Sequence, residues 1–242
     1  MRIHQTLYTS GRFLHDLHGN KIVLRGVNLP LLDSWNFPGS DALNAIEQTG
    51  ANAVRIQWYV NYPNPDRPRF SLTDLDDFLQ RCGKGGIVPI LMLADLTCVS
   101  DPAQVNSQLI PWWTSSEVVA MLSKHVPYLI INVANEVGIY RWADDSDAAL
   151  ASYSAAYESA IGSIRETGLA IPIMIDAPDC GTSLDASSRS DNNSSAPTLI
   201  ATCYSVVTPT GPLTMACRSS QNALARSCLL CLAKWPTSRT IK

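Results

Sequence analysis

The chain has 242 residues, 46% hydrophobic and 16% charged, which is enough to bury one sizeable core. A net charge of −3 with no basic run excludes nucleic acid as a natural partner. No stretch approaches the length of a membrane span and the start, Met1 to Tyr8, has no apolar h-region, so the sequence as written reads as soluble and without an export signal.

In chain order, Gly11 to Leu24 predicts a short hairpin with Gly19-Asn20 in its turn and Ile22 to Val27 as the outgoing strand. Such a hairpin could form a lid under the closed end of a barrel. Ser40-Asp41 offers an N-cap and first-turn acid to a helix from Ala42 to Thr49, which Gly50 stops. Ala51 to Trp58 is an apolar strand interrupted by Arg55. Leu72, Leu75, Phe78 and Leu79 share one face of a helix running to Cys82, which Gly83, Gly85 and Gly86 end. The strand Ile87 to Leu93 follows, and its loop, Ala94 to Cys98, leads to Trp112-Trp113 and a helix capped at Ser115 or Ser116 that runs to about His125. Next comes Tyr128 to Val133, a strand buried on both faces. An amphipathic segment from Asp147 to Thr167, closed by Gly168, precedes a fifth strand, Ile171 to Asp176.

Strand, helix, strand at this spacing implies right-handed βαβ units and a parallel sheet. The fold class is α/β, of the (β/α)8 TIM-barrel type, and incomplete: residues 1–186 hold five units where a closed barrel needs eight. A seam lies near Ala186. Residues 1–186 carry a net −8 and residues 187–242 a net +5, with no carboxylate after Asp191. The second segment is rich in Ser and Thr, holds four of the seven cysteines and shows neither helical nor alternating periodicity.

The Tyr128 strand ends in Asn135-Glu136, an amide and a carboxylate where a parallel barrel places its chemistry. The alternative is a pair that only caps the following turn. A carboxyl at a buried strand's end can be held protonated by desolvation, which suits a proton donor, and an adjacent Asn can hydrogen-bond a substrate hydroxyl. Trp35, Trp58, Trp112, Trp113 and Trp142 offer flat apolar faces of the kind that pack on sugar rings, the alternative for each being an ordinary core aromatic. His125 reads as a surface or capping residue.

Leu24-Arg25-Gly26-Val27-Asn28, Asn52-Ala53-Val54-Arg55, Asn132-Val133-Ala134-Asn135-Glu136 and Ile175-Asp176-Ala177-Pro178 resemble, in order and spacing, the family-5 glycoside hydrolases, bacterial endo-glucanases and endo-mannanases of the TIM-barrel type. The resemblance spans about the first 186 residues. It implies Glu136 as acid/base, Asn135 as partner of the sugar 2-hydroxyl, Arg55 as support of the nucleophile, and a retaining mechanism. It also implies a polysaccharide or oligosaccharide substrate met by the five tryptophans and Asp95, no cofactor or metal, a monomer, and an extracellular setting. Ala94 stands where relatives often carry a His before that Asp. A retaining mechanism needs a second carboxylate about 5 to 5.5 Å from the first. In the family it is a Glu on the seventh strand, and this chain has none there. Glucan and mannan both stay open as substrates, and so does a non-catalytic carbohydrate-binding pseudoenzyme.

Residues 187–242 are expected to be an out-of-frame translation. In the frame that joins the third base of each codon to the first two of the next, Val207 to Gly211 can be read as His-Thr-Tyr-Trp, resembling the sixth-strand motif. Leu232 to Thr237 can be read as Gly-Glu-Val-Ala-Asn, resembling the nucleophile strand. Cys203, Cys217, Cys228 and Cys231 are too irregularly spaced, with no nearby His, to read as a metal set. Cys98 and Cys180 could meet at the barrel mouth as a disulfide.

Overall fold

A computed structural model of the chain describes residues 5–10, 13–30, 42–61, 70–183, 198–200 and 230–234. The expected cap at Ser40-Asp41, Trp35, and residues 187–242 apart from two short strands lie outside the described residues.

The N-terminal segment forms an antiparallel three-stranded sheet, β1 (Tyr8–Ser10), β2 (Phe13–His15) and β3 (Lys21–Ile22). The Asp16 carboxylate closes its turn by accepting the N–H groups of His18 (2.9 Å) and Asn20 (2.8 Å). The outgoing strand differs from expectation. It breaks at Val23, so that Lys21–Ile22 pairs back on β2 while β4 (Leu24–Pro30) joins the main sheet. Asn52 makes the junction: its Oδ1 accepts the Arg25 N–H (2.6 Å) and its Nδ2 donates to the Val23 carbonyl (2.9 Å).

Five parallel strands follow in the expected order: β4, β5 (Ala53–Trp58), β6 (Val88–Leu93), β7 (Ile130–Asn132) and β8 (Ile173–Ile175). Two more extend the sheet at its edges, β9 (Thr198–Ile200) beside β8 and β10 (Leu230–Lys234) beside β4, both parallel. Segment 187–242 therefore does contribute backbone pairing, although its side chains carry no alternating signal. Among the described residues the order runs β10-β4-β5-β6-β7-β8-β9 and does not close on itself. This is the α/β fold of a partial TIM barrel.

Side-chain alternation along the strands divides two cores. Val54, Ile56, Leu91, Leu93, Ile131, Ile173 and Ile175 face outward into the main apolar cluster. They pack there with the helices α2 (Leu72–Lys84), α4 (Ser116–Ser123) and α5 (Ser146–Glu166). Ala53, Ile90, Ile130 and Met174 form a second cluster with Leu7, Leu14 and Leu24. The hairpin thus plugs the end of the barrel at which the strands begin, leaving the carboxyl ends free for a site.

α2 runs past Cys82 to Lys84, with Gly83 inside it. A Cβ on Gly83 would stand 2.4 Å from the Tyr128 ring, so this glycine answers a packing demand and does not stop the helix. His125 is buried at the same end of the barrel, its Nε2 2.6 Å from Asp76 and its Nδ1 2.7 Å from the Tyr128 hydroxyl.

Candidate active site

The inward positions above the apolar plug are polar. Asn28, Arg55, Asn132 and Asp176 come from four different strands or strand ends, and all are buried. Arg55 is the hub. Its Nε donates to Asn132 Oδ1 (2.9 Å), and its Nη2 donates to Asn132 Oδ1, to Asn135 Oδ1 (3.1 Å) and to Asp176 Oδ2 (2.5 Å). The sequence gap between Arg55 and Asp176 is 121 residues, which the parallel register of β5 to β8 brings to contact distance. Burial pushes the Asp176 carboxyl above its ordinary range, opposed by the Arg55 charge and by hydrogen bonds from the Glu136 N–H and from Arg55 and Asn132. Oδ1 of Asp176 and Oδ1 of Asn28 have no hydrogen-bond partner among the described residues.

Glu136 leaves β7 on a backbone that turns into the left-handed region, φ 55°, with its own N–H donating to Asp176 Oδ2 (3.2 Å). The half-buried carboxyl lies beside the loops that follow β6 and β8, with Oε2 3.7 Å from Cys98 Sγ. Asn135 beside it is pinned by its N–H on the Leu93 carbonyl (3.0 Å), and its Nδ2 donates to Thr97 Oγ1 (3.1 Å). With Oδ1 held by Arg55, the amide orientation is fixed, and among the described residues one Nδ2 hydrogen is left for another acceptor.

The loop beyond Glu136 is anchored by Asp179. This buried carboxylate accepts the N–H groups of Tyr140 and Arg141, each at 2.8 Å, and the Ser183 hydroxyl. Burial works against its charge, but these donors outweigh it and hold the Asp179 carboxyl below the usual range. Cys98 and Cys180, whose pairing the sequence left open, form a disulfide between the loop after β6 and the turn Pro178–Gly181 after β8.

The expected aromatic platform is largely corrected. Trp113 is fully buried and its indole N–H donates to the Val133 carbonyl (3.0 Å), so it is a core residue that cannot meet a sugar. Trp58 points outward from β5 into the helix layer and is 3% exposed, which likewise removes it from the cleft. Trp112 is half-buried and lines a surface recess with Phe70, Ser71 and Glu117, outside the barrel lumen. Trp142 is exposed, at 62%. Asp95 spends both oxygens on backbone, accepting the N–H of Val60 (2.9 Å) and of Asn61 (2.6 Å), and so ties down the loop after β5. Asn132 and Asp176 stood in the motifs that carry the family resemblance but had no role assigned from sequence, and Asp179 and Thr97 were not singled out. A polar residue in an otherwise apolar strand was the available signal for Asn132, and a carboxylate closing such a strand was the signal for Asp176.

A parallel barrel with a carboxyl at one strand's end, held beside an amide, a buried arginine and a buried aspartate, defines a carbohydrate-active hydrolase scaffold. The family model Cellulase (glycosyl hydrolase family 5) matches residues 15–205, and the chain belongs to that family. Among curated relatives, a mannan endo-1,4-beta-mannosidase of Cellvibrio japonicus is 26% identical over 177 residues, covering 72% of this chain and 38% of the relative. One of Streptomyces lividans is 25% identical over 175 residues, covering 72% of this chain and 42% of the relative. The chain therefore spans about two fifths of the length of these relatives. The catalytic domain of a mannanase from Streptomyces sp. SirexAA-E superposes with a TM-score of 0.62 at 25% identity, covering 77% of this chain and 56% of that one. The mannohexaose complex of a Thermomonospora fusca beta-mannanase shares the fold, with a TM-score of 0.65 at 19% identity, covering 82% and 66%.

Proposed function

We propose that this chain carries the acid/base half of a retaining endo-β-1,4-glycanase site that takes mannan, with Glu136 as the proton donor. The observation that carries the reading is the network joining Glu136 and Asn135 to Arg55 and Asp176 at the strands' carboxyl ends. Mannan is favoured over glucan by the curated relatives, whose printed activity is on mannan. Asn135, with an Nδ2 hydrogen unused among the described residues, is the partner for the sugar 2-hydroxyl, and Arg55 orients Asn135 and Asp176. Trp142 offers the exposed ring for a substrate sugar. The Cys98–Cys180 disulfide supports an extracellular, oxidising setting. The chain acts as a monomer.

The nucleophile is the missing half. No carboxylate follows Asp191, and Asp176 is committed to Arg55. Segment 187–242 is accordingly an out-of-frame translation, and restoring one base near Ser187 in the gene should open a frame containing the nucleophile Glu. Loss of a nucleophile costs several orders of magnitude in turnover. Azide can take its place: it bonds to C1 from the α face as the C1–O bond breaks, and the departing oxygen takes its proton from Glu136. The test is the full chain on mannohexaose with and without azide, beside isothermal calorimetry of binding. The expected result is azide-dependent formation of an α-mannosyl azide that Glu136→Gln abolishes. Binding without azide-dependent turnover would select the non-catalytic carbohydrate-binding reading, and neither binding nor turnover would refute both.

A further inference from the structure

Among the described residues, four that are not glycine have backbones in the left-handed region: Cys98 (φ 62°), Glu136 (φ 55°), Asp179 (φ 56°) and Cys180 (φ 52°). L side chains rarely adopt this conformation, and it persists where surrounding structure over-determines it. All four lie in the three loops that follow β6, β7 and β8. Two of them are the two halves of one disulfide, which ties the first of these loops to the third across 82 residues of sequence. The loop carrying Glu136 lies between them.

The tie reaches Glu136 directly. Cys98 Sγ stands 3.7 Å from Glu136 Oε2. On the other side, Gly181 follows Cys180 with φ +77°, and a Cβ there would stand 3.0 Å from Glu136 Oε1. The carboxyl is therefore held between the sulfur on one loop and the bare backbone of the other. Backbone hydrogen bonds run alongside, from the Gly138 N–H to the Val99 carbonyl (2.8 Å) and from the Asp179 N–H to the Gly138 carbonyl (3.0 Å). These fix the loop, but neither touches the carboxyl. Cys98 is exposed and Cys180 half-buried, so the bond is open to attack from solvent.

We propose that the Cys98–Cys180 disulfide is a positioning element for Glu136, so that proton donation to the glycosidic oxygen reaches full efficiency only in the oxidised chain. The proposal rests on Glu136 being the acid. An external dithiol supplies the two electrons and two protons that convert the S–S bond into two thiols, and is itself oxidised to its disulfide. The freed loops then let the carboxyl leave the reacting position, and a displacement of that order lowers the rate by about 10- to 100-fold.

The experiment uses the full chain with azide and two donors, oxidised and after dithiothreitol. Mannohexaose has a poor leaving group that needs the acid, whereas 2,4-dinitrophenyl β-mannobioside has one that leaves without a proton. Reduction is expected to slow mannohexaose turnover at least tenfold, chiefly in kcat, while the dinitrophenyl substrate changes less than twofold. The double variant Cys98→Ser/Cys180→Ser should show the same selective deficit in either redox state, which separates this bond from the remaining cysteines. Equal loss on both donors, or no change on either, would overturn the proposal, since a merely structural bond would give the former. If neither donor turns over in any state, the nucleophile-deficient glycanase reading fails, and the carboxyl-13C resonance of Glu136, identified by its loss in Glu136→Gln, decides the positioning claim. A shift on reduction would uphold it, and an unmoved resonance would overturn it.

Discussion

Replacing Asp176 tests the network that holds the site. Its Oδ2 takes the Arg55 guanidinium at 2.5 Å and the Glu136 N–H at 3.2 Å, and the two charged side chains are 4% and 3% exposed. Asp176→Ala removes the only charge facing Arg55 among its described contacts, leaving a buried guanidinium with the amide oxygens of Asn132 and Asn135. Breaking a buried pair from one side costs about 3–5 kcal/mol. Asp176→Asn keeps an acceptor of the same shape and should cost about 1–3 kcal/mol. The pH dependence has a definite sign. Burial raises the Asp176 carboxyl in the folded chain, so its contribution to stability is fully present below the ordinary carboxylate value and is lost as pH rises through the raised one. Asn does not titrate there, so the gap between Asp176 and Asp176→Asn should narrow as pH rises. Urea unfolding at about pH 3 and about pH 8, either side of the carboxylate range, measures both quantities. An Asp176→Ala cost below about 1 kcal/mol, or a gap that widens with pH, would refute the reasoning.

Two tryptophan substitutions should separate core from cleft. Trp113→Ala empties a fully buried site and loses a hydrogen bond, costing about 3–5 kcal/mol in denaturant unfolding while leaving mannohexaose affinity in the surviving fold unchanged. Trp142→Ala should change stability by less than about 0.5 kcal/mol yet weaken mannohexaose binding by calorimetry. At the opposite end of the barrel, burial works against the Asp76 charge, but hydrogen bonds from Lys124 and His125 outweigh it and hold its carboxyl below the ordinary value. Its contribution is therefore present above the ordinary carboxylate range and lost as pH falls through the lowered value, so the deficit of Asp76→Asn should be complete at neutral pH and vanish in acid. A deficit that is independent of pH would show that the pairing with Lys124 and His125 does not lower Asp76.

Much of this was legible in the chain itself. Apolar runs of strand length separated by amphipathic segments determined five parallel strands in order, because burial on both faces leaves that pattern whatever the neighbours. Glu136 and Arg55 could be picked out because a charge closing or interrupting such a run needs a reason. The tryptophans were not legible. Trp58, Trp112, Trp113 and Trp142 are alike as residues, but only strand alternation and helix docking determine that Trp113 faces the core and Trp142 faces solvent.

What the sequence by itself determined was therefore local and periodic: the strands, their order, the apolar face of α2 and the carboxylate beyond the end of β7. What only the tertiary structure decided was convergence. Arg55, Asn132 and Asp176 meet because parallel register stacks strand ends that are far apart in the chain. The left-handed turns at Cys98, Glu136 and Cys180 appear for a related reason: contacts between three loops fix each backbone against its own preference. A preference encoded residue by residue cannot announce where neighbours will override it.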